Sequence, residues 1–282
     1  MYKIGIVGYG VVGRGIHRLF QDDIKAIYDP GLKEGSLMEA SVYRVCINNK
    51  GDFKGLDLIV VSVPTNETAD WSADTSILEE TVAWIREIDK DVIILIKSTT
   101  PPDVLRELHF KYHHIVFSPE YMGESKYFTP EWKYPHPTNM ASHTWQTFGG
   151  AGVDTSRCVD IFKRRMGVDT EFWTTDIVTA GLAKYIENSF FAMKVTFCNE
   201  WFDIAEAFGA DWNKLRELWL QDPRINRNHT LVFPEDRGYG GKCFPKDTRA
   251  IIKAARERRY EPKLMVMMDE VNQDMRAKNE KR

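Results

Sequence analysis

Short apolar runs in the first half of the chain predict the strands of a buried parallel sheet. The runs LIVVSV and VIILI are far too short to span a bilayer, and they suit strands that are covered on both faces. In the second half, residues 176–208 follow a helical pattern that closes at Gly209. At 1.5 Å per residue this helix would be roughly 50 Å long. The pattern predicts an α/β protein, with a parallel-sheet domain over residues 1–172 and a mostly α-helical domain, built on one long helix, over residues 173–282.

The composition is typical of a water-soluble globular protein. Of 282 residues, 43% are hydrophobic and 28% are charged, and the formal net charge is -3. Neither a nucleic acid nor a membrane is therefore indicated as a partner. The four cysteines are far apart and form no C-x-x-C pair, which disfavours zinc ribbons and redox dithiols and fits a reducing compartment. The first residues enter a strand directly and do not resemble a signal peptide. We therefore expect a cytoplasmic protein without a metal site.

A glycine turn lies between an apolar run and a helical pattern in KIGIVGYGVVGRGIHRLF. Gly8, Gly10 and Gly13 form the motif G-x-G-x-x-G. The first glycine makes the tight turn, the second lets the backbone approach a pyrophosphate, and the third lets helix and strand pack closely. Val11 and Val12 complete the turn, and the helix N-terminus offers N–H groups to the phosphates. The motif alone is common, but its position after a strand and before a helix predicts a Rossmann-type domain.

An acidic residue about 20 positions after such a motif is the next expected feature. Asp29 follows the second apolar run, in IKAIYDP. A carboxylate there accepts hydrogen bonds from the adenosine ribose and repels a 2′-phosphate, which favours NAD over NADP as the cofactor. Pro30 makes a simple turn aspartate the alternative.

Polar residues also follow the next two strands at their carboxyl ends, where open parallel sheets bind ligands. The run LIVVSV ends at Val63 and is followed by Pro64 and Thr65, and VIILIK is followed by Ser98 and Thr99. These five residues are candidates for contacts with the cofactor. Alternatively, Ser98 and Thr99 cap a helix that begins at the two prolines after them.

A further apolar run, HIVF, is followed by SPEYMGE, which places Glu120 and Glu124 close together after a strand end. Isolated surface glutamates are common, whereas a pair at this position suggests a site. Residues 127–145 are rich in aromatic residues, proline and histidine and have no clear period, so we expect a long loop. His136 and His143 lack the spacing of metal ligands and are expected to be solvated.

On the long helix, Lys184 and Asn188 are four residues apart and share one face. They stand among Leu182, Ile186 and Phe190, where burying a lysine and an asparagine without partners would be costly. A functional pair is one interpretation. The other is a snorkelling lysine beside an incidental asparagine.

The segment GYGGKCFPKD, near the C-terminus, contains a candidate nucleophile, Cys243. Pro245 suits the first residue of a helix, which would place Cys243 just before a helix N-terminus and between two lysines. These positive surroundings favour the thiolate, the reactive form of cysteine. Gly240 and Gly241 would let a substrate approach the backbone, and Asp247 would lie in the first turn. From these residues alone, a nucleophile and a buried thiol in a glycine turn are equally supported.

Together these motifs resemble those of the UDP-glucose/GDP-mannose dehydrogenase family. GYGVVG, VSVPT, KSTTPP, SPEYMGE, AGLAKYIENSFFAMK, DPRI and GYGGKCFPKD occur in the family's order and extend over nearly the whole chain. The first motif is generic, whereas the last is highly specific. The resemblance implies an NAD-binding Rossmann domain, a helical dimerisation domain, and oxidation of the C6 alcohol of a nucleotide sugar to a carboxylate with two NAD+.

The resemblance also assigns catalytic roles. It implies that Cys243 attacks the aldehyde to give a thiohemiacetal, that a second hydride transfer gives a thioester, and that water then cleaves the thioester. Lys184 and Asn188 would hold the developing oxyanion. Asp247 would position the water and assist the lysine.

The remaining roles follow from the same resemblance. Glu120 and Glu124, with Thr99, would be the acid–base and water-handling group of the first domain. Arg224 would reach the substrate of a neighbouring subunit, which implies a homodimer built on the long helix. Lys246 would join the cofactor-binding residues. The implied substrate-binding set is Glu120, Tyr121, Met122, Lys184, Asn188, Arg224, Tyr239, Gly240 and Gly241.

The chain departs from the family's pattern at its C-terminus. Family members continue with a third domain that grips the nucleotide, and no residues follow DEVNQDMRAKNEKR to build it, so we expect this chain to lack that domain. Two other interpretations stay open. A 3-hydroxyacid or 6-phosphogluconate type dehydrogenase would share the glycine motif, the long helix and a lysine near an asparagine, but would need no catalytic cysteine. A non-catalytic NAD-binding module would be consistent with the missing domain.

Overall fold

The computed structural model describes residues 1–32, 45–121 and 140–279. The chain divides into two compact units, Met1–Asn66 with Asp74–Lys184 and Glu67–Ala73 with Tyr185–Arg282. These units divide within the long helix, whereas the sequence predicted a domain boundary between residues 172 and 173. That boundary stays a prediction.

The first unit contains a sheet that has eight strands in the described residues. In chain order these are β1 (Ile4–Val7), β2 (Ile24–Tyr28), β3 (Cys46–Ile47), β4 (Leu58–Val61), β5 (Ile93–Ile96), β6 (Ile115–Phe117), β7 (Trp145–Gly150) and β8 (Glu171–Thr175). They lie in the order β3-β2-β1-β4-β5-β6-β7-β8, and all neighbours are parallel except β6 and β7. The strand order reverses between β1 and β4, which is where α/β sheets bind ligands.

Helices connect the strands of the first unit, and apolar clusters cover both faces of the sheet. The helices are α1 (Val11–Phe20), α2 (Ser76–Ile88), α3 (Pro102–Lys111) and α4 (Gly152–Met166). Successive residues of β4 pack into different apolar clusters. Leu58 and Val60 belong to one cluster, and Ile59 and Val61 belong to the other. Because side chains alternate between the faces of a strand, β4 is buried on both sides, as its unbroken apolar run predicted.

The second unit is helical. α5 (Ile177–Ala207) begins in the first unit and continues through the second, followed by α6 (Trp212–Trp219), α7 (Cys243–Glu257) and α8 (Lys263–Asn279). The segment 67–73 belongs to this unit because it pairs with α7: Glu67 lies 3.4 Å from Arg249, and Asp70 pairs with Lys253. None of the helices in the described ranges has the length and apolar character that crossing a bilayer requires.

The predicted fold class is confirmed. α5 begins and ends within one residue of the predicted helix bounds. The start of α7 differs from the prediction, since the helix begins at Cys243 and not at Pro245. The cysteine therefore lies in the first turn of the helix. A proline is tolerated two residues further on because N–H groups of the first turn have no acceptor within the helix.

The prediction of a solvated His143 is wrong. This residue precedes β7 and is only 2% exposed, and its ring stacks on Trp145 with ring centres 5.8 Å apart. Packing on a neighbouring aromatic ring thus removes it from water, and burial lowers the pKa of its imidazole. His136 lies outside the described residues.

Gly13 lets α1 pack closely on the turn after β1. A Cβ at this position would lie 2.1 Å from the carbonyl oxygen of Gly8, so the backbone would have to shift. We expect Gly13→Ala to lower the free energy of unfolding by about 1–3 kcal/mol, the usual effect of overpacking. Chemical denaturation measures this difference.

Gly152→Ala is the matched control, because no described atom lies within 4 Å of a Cβ at the first residue of α4. It should be as stable as the unmodified protein or slightly more so. If the two variants unfolded at the same denaturant concentration, the close approach of α1 to the turn would be disproved.

Candidate functional site

The turn between β1 and α1 has the shape of a phosphate cradle. Gly8 has a φ of +88°, and a Cβ there would lie 2.6 Å from the carbonyl oxygen of Ser62. At Gly10, in contrast, no described atom lies within 4 Å of a Cβ, so the space beside it is open. Val11 and Val12 follow as the first residues of α1, whose first N–H groups have no acceptor within the helix. A phosphate group fits this open space at a helix N-terminus.

Asp29 directly follows β2, and its carboxylate is bonded to the glycine turn. One oxygen accepts from the N–H of Tyr9 at 2.6 Å, and the other accepts from the N–H of Gly31 at 2.7 Å. The N–H of Asp29 donates to the side-chain oxygen of Asn48 at 2.8 Å. The bond to Gly31 is typical of an aspartate in a turn. The bond to Tyr9 places the same carboxylate beside the phosphate cradle, where a cofactor ribose would bind. The contacts of Asp29 therefore agree both with a turn aspartate and with a ribose ligand. Its role toward a ribose stays a prediction.

Side-chain hydrogen bonds tie together the loops after β4 and β5. The Oγ of Ser98 donates to the carbonyl of Val63 at 2.7 Å, and the Oγ1 of Thr65 donates to the carbonyl of Thr99 at 2.7 Å. Pro64, between the two bonded residues of the β4 loop, is exposed. These hydrogen bonds join the two loops into one surface at the carboxyl end of the sheet. The residues predicted to contact the cofactor lie on that surface.

The alternative interpretation of Ser98 and Thr99 as helix caps is wrong. The capping position of α3 is held by Pro101, and no side chain caps this helix. The hydroxyl of Ser98 is instead used to join the two strand-end loops.

Glu120 follows β6 and is buried beside Lys97. Lys97 is an additional member of this site that was not among the residues predicted from the sequence. The Nζ of Lys97 lies 3.4 Å from Oε2 of Glu120 and donates to Oγ of Ser118 at 3.1 Å, and the lysine is only 2% exposed. Burial lowers the pKa of the Lys97 ammonium, and the charge of Glu120 opposes this shift. Its position immediately after the apolar run IILI, at the same strand end as Ser98, was the signal that could have identified it.

Tyr121 brings Lys184 into the neighbourhood of Glu120. The N–H of Tyr121 donates to Oε1 of Glu120 at 2.9 Å, and the Nζ of Lys184 lies 5.4 Å from the centre of the Tyr121 ring. This is the distance of a cation–π interaction. The first unit thus brings together three residues of the predicted site. Met122 and Glu124 lie outside the described residues.

In the second unit, the carboxylate of Asp247 is 1% exposed and is held by two other predicted site residues. One oxygen accepts from Nδ2 of Asn188 at 2.5 Å, and the other accepts from Nζ of Lys246 at 2.6 Å. Asn188 is therefore not an incidental polar residue. Burial, with the charge of Asp247, raises the pKa of the neighbouring Tyr185 well above its usual value. The cofactor contact of Lys246 stays a prediction, since its ammonium is paired with Asp247.

Cys243 is exposed and is the first residue of α7. Gly241, two residues before it, has a φ of +76° and open space beside its Cα, so the backbone there is accessible to a ligand. Gly240 is half-buried. The side chain of Tyr239 is buried and its hydroxyl donates to Asp269 at 2.9 Å, so it packs inside the unit. Contacts of these residues with a substrate stay predictions.

Arg224 lies in the loop after α6 with its side chain 87% exposed. Its guanidinium pairs with Asp222 at 2.6 Å, which raises its pKa. An arginine exposed in this way is accessible to a ligand or to a second copy of the chain, and that role stays a prediction.

Comparison with known proteins identifies relatives of this chain. The family described as "UDP-glucose/GDP-mannose dehydrogenase family, central domain" matches residues 178–274, which contain most of α5 and all of α6 and α7. A UDP-glucose 6-dehydrogenase of Rickettsia prowazekii is 27% identical over 279 residues, covering 92% of this chain and 61% of the relative. A UDP-glucose 6-dehydrogenase of Rickettsia bellii is 30% identical over 226 residues, covering 76% of this chain and 48% of the relative.

Solved structures show the same fold. A UDP-glucose dehydrogenase from the hyperthermophilic archaeon Pyrobaculum islandicum superimposes with a TM-score of 0.77 at 23% identity, covering 97% of this chain and 68% of that one. The chain spans about three fifths of the length of the relatives it matches. The family match over residues 178–274, the relatives and the shared fold agree, and the chain is similar to members of the UDP-glucose/GDP-mannose dehydrogenase family.

Proposed function

We propose that the protein is an NAD-dependent nucleotide-sugar 6-dehydrogenase that oxidises a sugar primary alcohol to a carboxylate through a thioester on Cys243. The arrangement around this thiol carries the proposal. Cys243 is exposed at the start of α7, one turn before a buried Asp247 that Asn188 and Lys246 hold in place. The UDP-glucose 6-dehydrogenase activity named for the matched relatives supports the substrate class.

The glycine turn and Asp29 support NAD as the cofactor. The open space at Gly10 suits a pyrophosphate at the helix N-terminus, and the Asp29 carboxylate suits a ribose and disfavours a 2′-phosphate. When bound, NAD+ supplies the acceptor for a hydride. An oxidation from alcohol to carboxylate removes four electrons, so it consumes two NAD+ for each sugar.

The second unit and Lys184 would perform the covalent chemistry. The thiolate of Cys243 attacks the carbonyl carbon of the aldehyde, and loss of a hydride from the resulting thiohemiacetal leaves a thioester. The ammonium of Lys184 and the amide of Asn188 are donors of the kind that stabilise the oxyanion. Asp247 would orient the water that cleaves the thioester. Because this chemistry needs a reduced thiol, we also propose a cytoplasmic location.

Glu120 is the candidate acid–base group of the first unit. Its carboxylate is oriented by the N–H of Tyr121 and by the ammonium of Lys97. A carboxylate held in this way accepts a proton from a substrate hydroxyl or from a water molecule. Thr99, at the end of the neighbouring strand, would help to place that water.

The phosphate site is tested by adding one methyl group. We expect Gly10→Ala to weaken NAD+ binding roughly 10-fold, about 1.4 kcal/mol, because the methyl group would fill the open space. Isothermal titration calorimetry measures the affinity, and Gly152→Ala is the control that should bind like the unmodified protein. The unmodified protein should prefer NAD+ to NADP+. An unchanged affinity in Gly10→Ala, or a preference for NADP+, would remove the support for this cofactor site.

The nucleophile is tested by removing its sulfur. We expect Cys243→Ala to lower steady NADH formation with UDP-glucose by roughly 1000-fold or more, since the second oxidation needs the thiol. The unmodified protein should form two NADH for each sugar. Cys198→Ala is the control in the same unit, because burial raises the pKa of the Cys198 thiol to about 11 and keeps it protonated.

Two outcomes would favour the other interpretations. Full turnover of Cys243→Ala with one NADH per substrate would indicate a 3-hydroxyacid or 6-phosphogluconate type reaction. If the unmodified protein reduced no NAD+ with nucleotide sugars or simple sugar phosphates, a non-catalytic NAD-binding module would be supported.

We further propose that a second copy of the chain docks along one face of α5. Exposed apolar residues recur there at Ile186, Phe190, Phe197, Trp201 and Ile204, and Phe208, directly after the helix, continues the series. At about 100° per residue they fall within an arc of roughly 60°, and they extend over roughly 33 Å. A monomer rarely exposes so long an apolar stripe. Two identical helices that cross with two-fold symmetry would cover each other's stripe, which supports a homodimer.

The dimer is tested by placing a charge on this stripe. Ile186 is 72% exposed, so Ile186→Asp should leave the chain folded and shift it from dimer to monomer in sedimentation velocity at micromolar concentration. Phe110→Asp is the control, because Phe110 is 80% exposed but lies on α3. A monomeric unmodified protein, or a dimer that survives Ile186→Asp, would contradict the proposal.

A further inference from the structure

Three consecutive backbone N–H groups before the cysteine loop each donate to an asparagine side chain. The N–H of Arg237 donates to Oδ1 of Asn279 at 3.1 Å, and that of Gly238 donates to Oδ1 of Asn199 at 3.1 Å. The N–H of Tyr239 donates to Oδ1 of Asn272 at 2.6 Å. These asparagines come from two helices, Asn199 from α5 and the other two from α8. We call Asn199, Asn272 and Asn279 the asparagine clamp.

Two asparagines of the clamp each bond to both the N–H and the carbonyl of one backbone residue. Asn272 accepts from the N–H of Tyr239 and donates Nδ2 to its carbonyl at 3.1 Å, and Asn279 does the same with Arg237, donating at 3.0 Å. They are seven residues apart, which is close to two helical turns, so both face residues 237–239, a segment that bends at Gly238 with a φ of +77°. Asn199 and Asn272 are 2% and 3% exposed, and water does not compete for these bonds.

The clamp lies at one end of a flexible connection to the nucleophile. Only Gly240, Gly241 and Lys242 separate Tyr239 from Cys243. Glycine adopts many backbone conformations, so these residues alone do not fix where the thiol lies. The position of Cys243 then depends on how firmly each end of the connection is held.

The other end is held through the same helix. Asp269 of α8 accepts the hydroxyl of Tyr239 at 2.9 Å and also accepts Nε of Arg249 at 3.1 Å. Arg249 belongs to α7, the helix that begins with Cys243. α8 therefore contacts both the segment before the glycines and the helix after them.

We propose that the asparagine clamp positions Cys243 for attack by fixing the backbone of residues 237–239 on α8 and α5. The clamp residues are positioning residues, since they act through the loop and not on the substrate. The inference rests on the proposed role of Cys243 as nucleophile. It adds that α8 is part of the apparatus that makes this thiol effective.

The test uses Asn272→Ala in the full chain and three measurements. Hydrogen exchange of the amides at 237–239 should become roughly 10-fold faster or more, because the clamp protects them. Alkylation of Cys243 by iodoacetamide, followed by mass spectrometry, should become several-fold slower. The thiol is already exposed and gains no access, while a loosened segment 237–239 holds it less firmly at the positive N-terminus of α7. The kcat for NADH formation should fall roughly 10- to 100-fold with the Kd for NAD+ unchanged.

Thr230→Val is the matched control. Thr230 is buried in the same unit, and its hydroxyl donates to the carbonyl of Arg227 at 2.7 Å and accepts from Arg216 at 3.0 Å. The substitution removes two buried hydrogen bonds away from the clamp. It should lower thermal stability without changing exchange at 237–239 or the alkylation rate of Cys243. If Asn272→Ala does not fold, the same three measurements are made on Asn279→Ala, which lies at the less buried end of the clamp.

The outcomes separate this proposal from the proposed function. Alkylation of Cys243 at or above the unmodified rate, with exchange at 237–239 accelerated, would show that the clamp is only structural and would overturn the inference. Unchanged exchange would overturn it as well. If the unmodified protein oxidised no nucleotide sugar, the proposed function would fail, while exchange and alkylation would still decide whether the clamp controls the thiol.

Discussion

The buried carboxylate of Asp247 is the constraint on which the second unit depends. A carboxylate removed from water needs compensating donors, and removing one partner of a buried charge typically costs about 3–5 kcal/mol. Asn188 supplies one donor from α5, and Lys246 supplies another from α7 itself. Satisfying the charge therefore fixes how α7 is rotated against α5. Because Cys243 begins α7 one turn before Asp247, these bonds hold the helix that carries the thiol, while the asparagine clamp holds the segment that precedes it.

The first unit contains a buried charge pair of its own. Lys97 and Glu120 lie just after the neighbouring strands β5 and β6, and their desolvation opposes folding. Burial lowers the pKa of Lys97, and the adjacent carboxylate limits that shift. Replacing a buried ion pair by apolar side chains of similar volume is often neutral or stabilising. A buried lysine beside a glutamate at the carboxyl end of a parallel sheet, where ligands bind, therefore favours the proposed acid–base role of Glu120 over a purely stabilising one.

The sequence predicted the parts of this structure that local patterns determine. The unbroken apolar run of β4, the glycine turn at Gly8 and the long α5 all follow from short-range rules of burial and backbone conformation. Asn188 was identified because it shares a helix face with Lys184, four residues away. The family motifs added roles that no spacing rule supplies.

What the sequence did not predict depends on contacts between distant segments. His143 stands in a loop-like stretch of sequence, yet it is buried where the charges of Lys97 and Glu120, from earlier strand ends, act on its imidazole. Lys97 resembles a surface lysine until the following strand places Glu120 beside it. Asn272 stands among charged residues near the C-terminus, and nothing local shows that it bonds to a backbone 33 residues earlier in the chain.

Asparagine suits the clamp because the loop around Cys243 has to combine an accessible backbone with a firmly held thiol. Glycines beside Cys243 leave the backbone open to a substrate, but they also leave the thiol poorly placed unless an adjoining segment is rigid. An asparagine side chain offers a donor and an acceptor like those of a peptide group, and it carries no charge. An aspartate at position 272 would bring a buried negative charge against the carbonyl of Tyr239, and a leucine would leave the backbone N–H unsatisfied. Of these three side chains, asparagine is the one that satisfies both backbone groups of Tyr239 without adding a charge near the thiol.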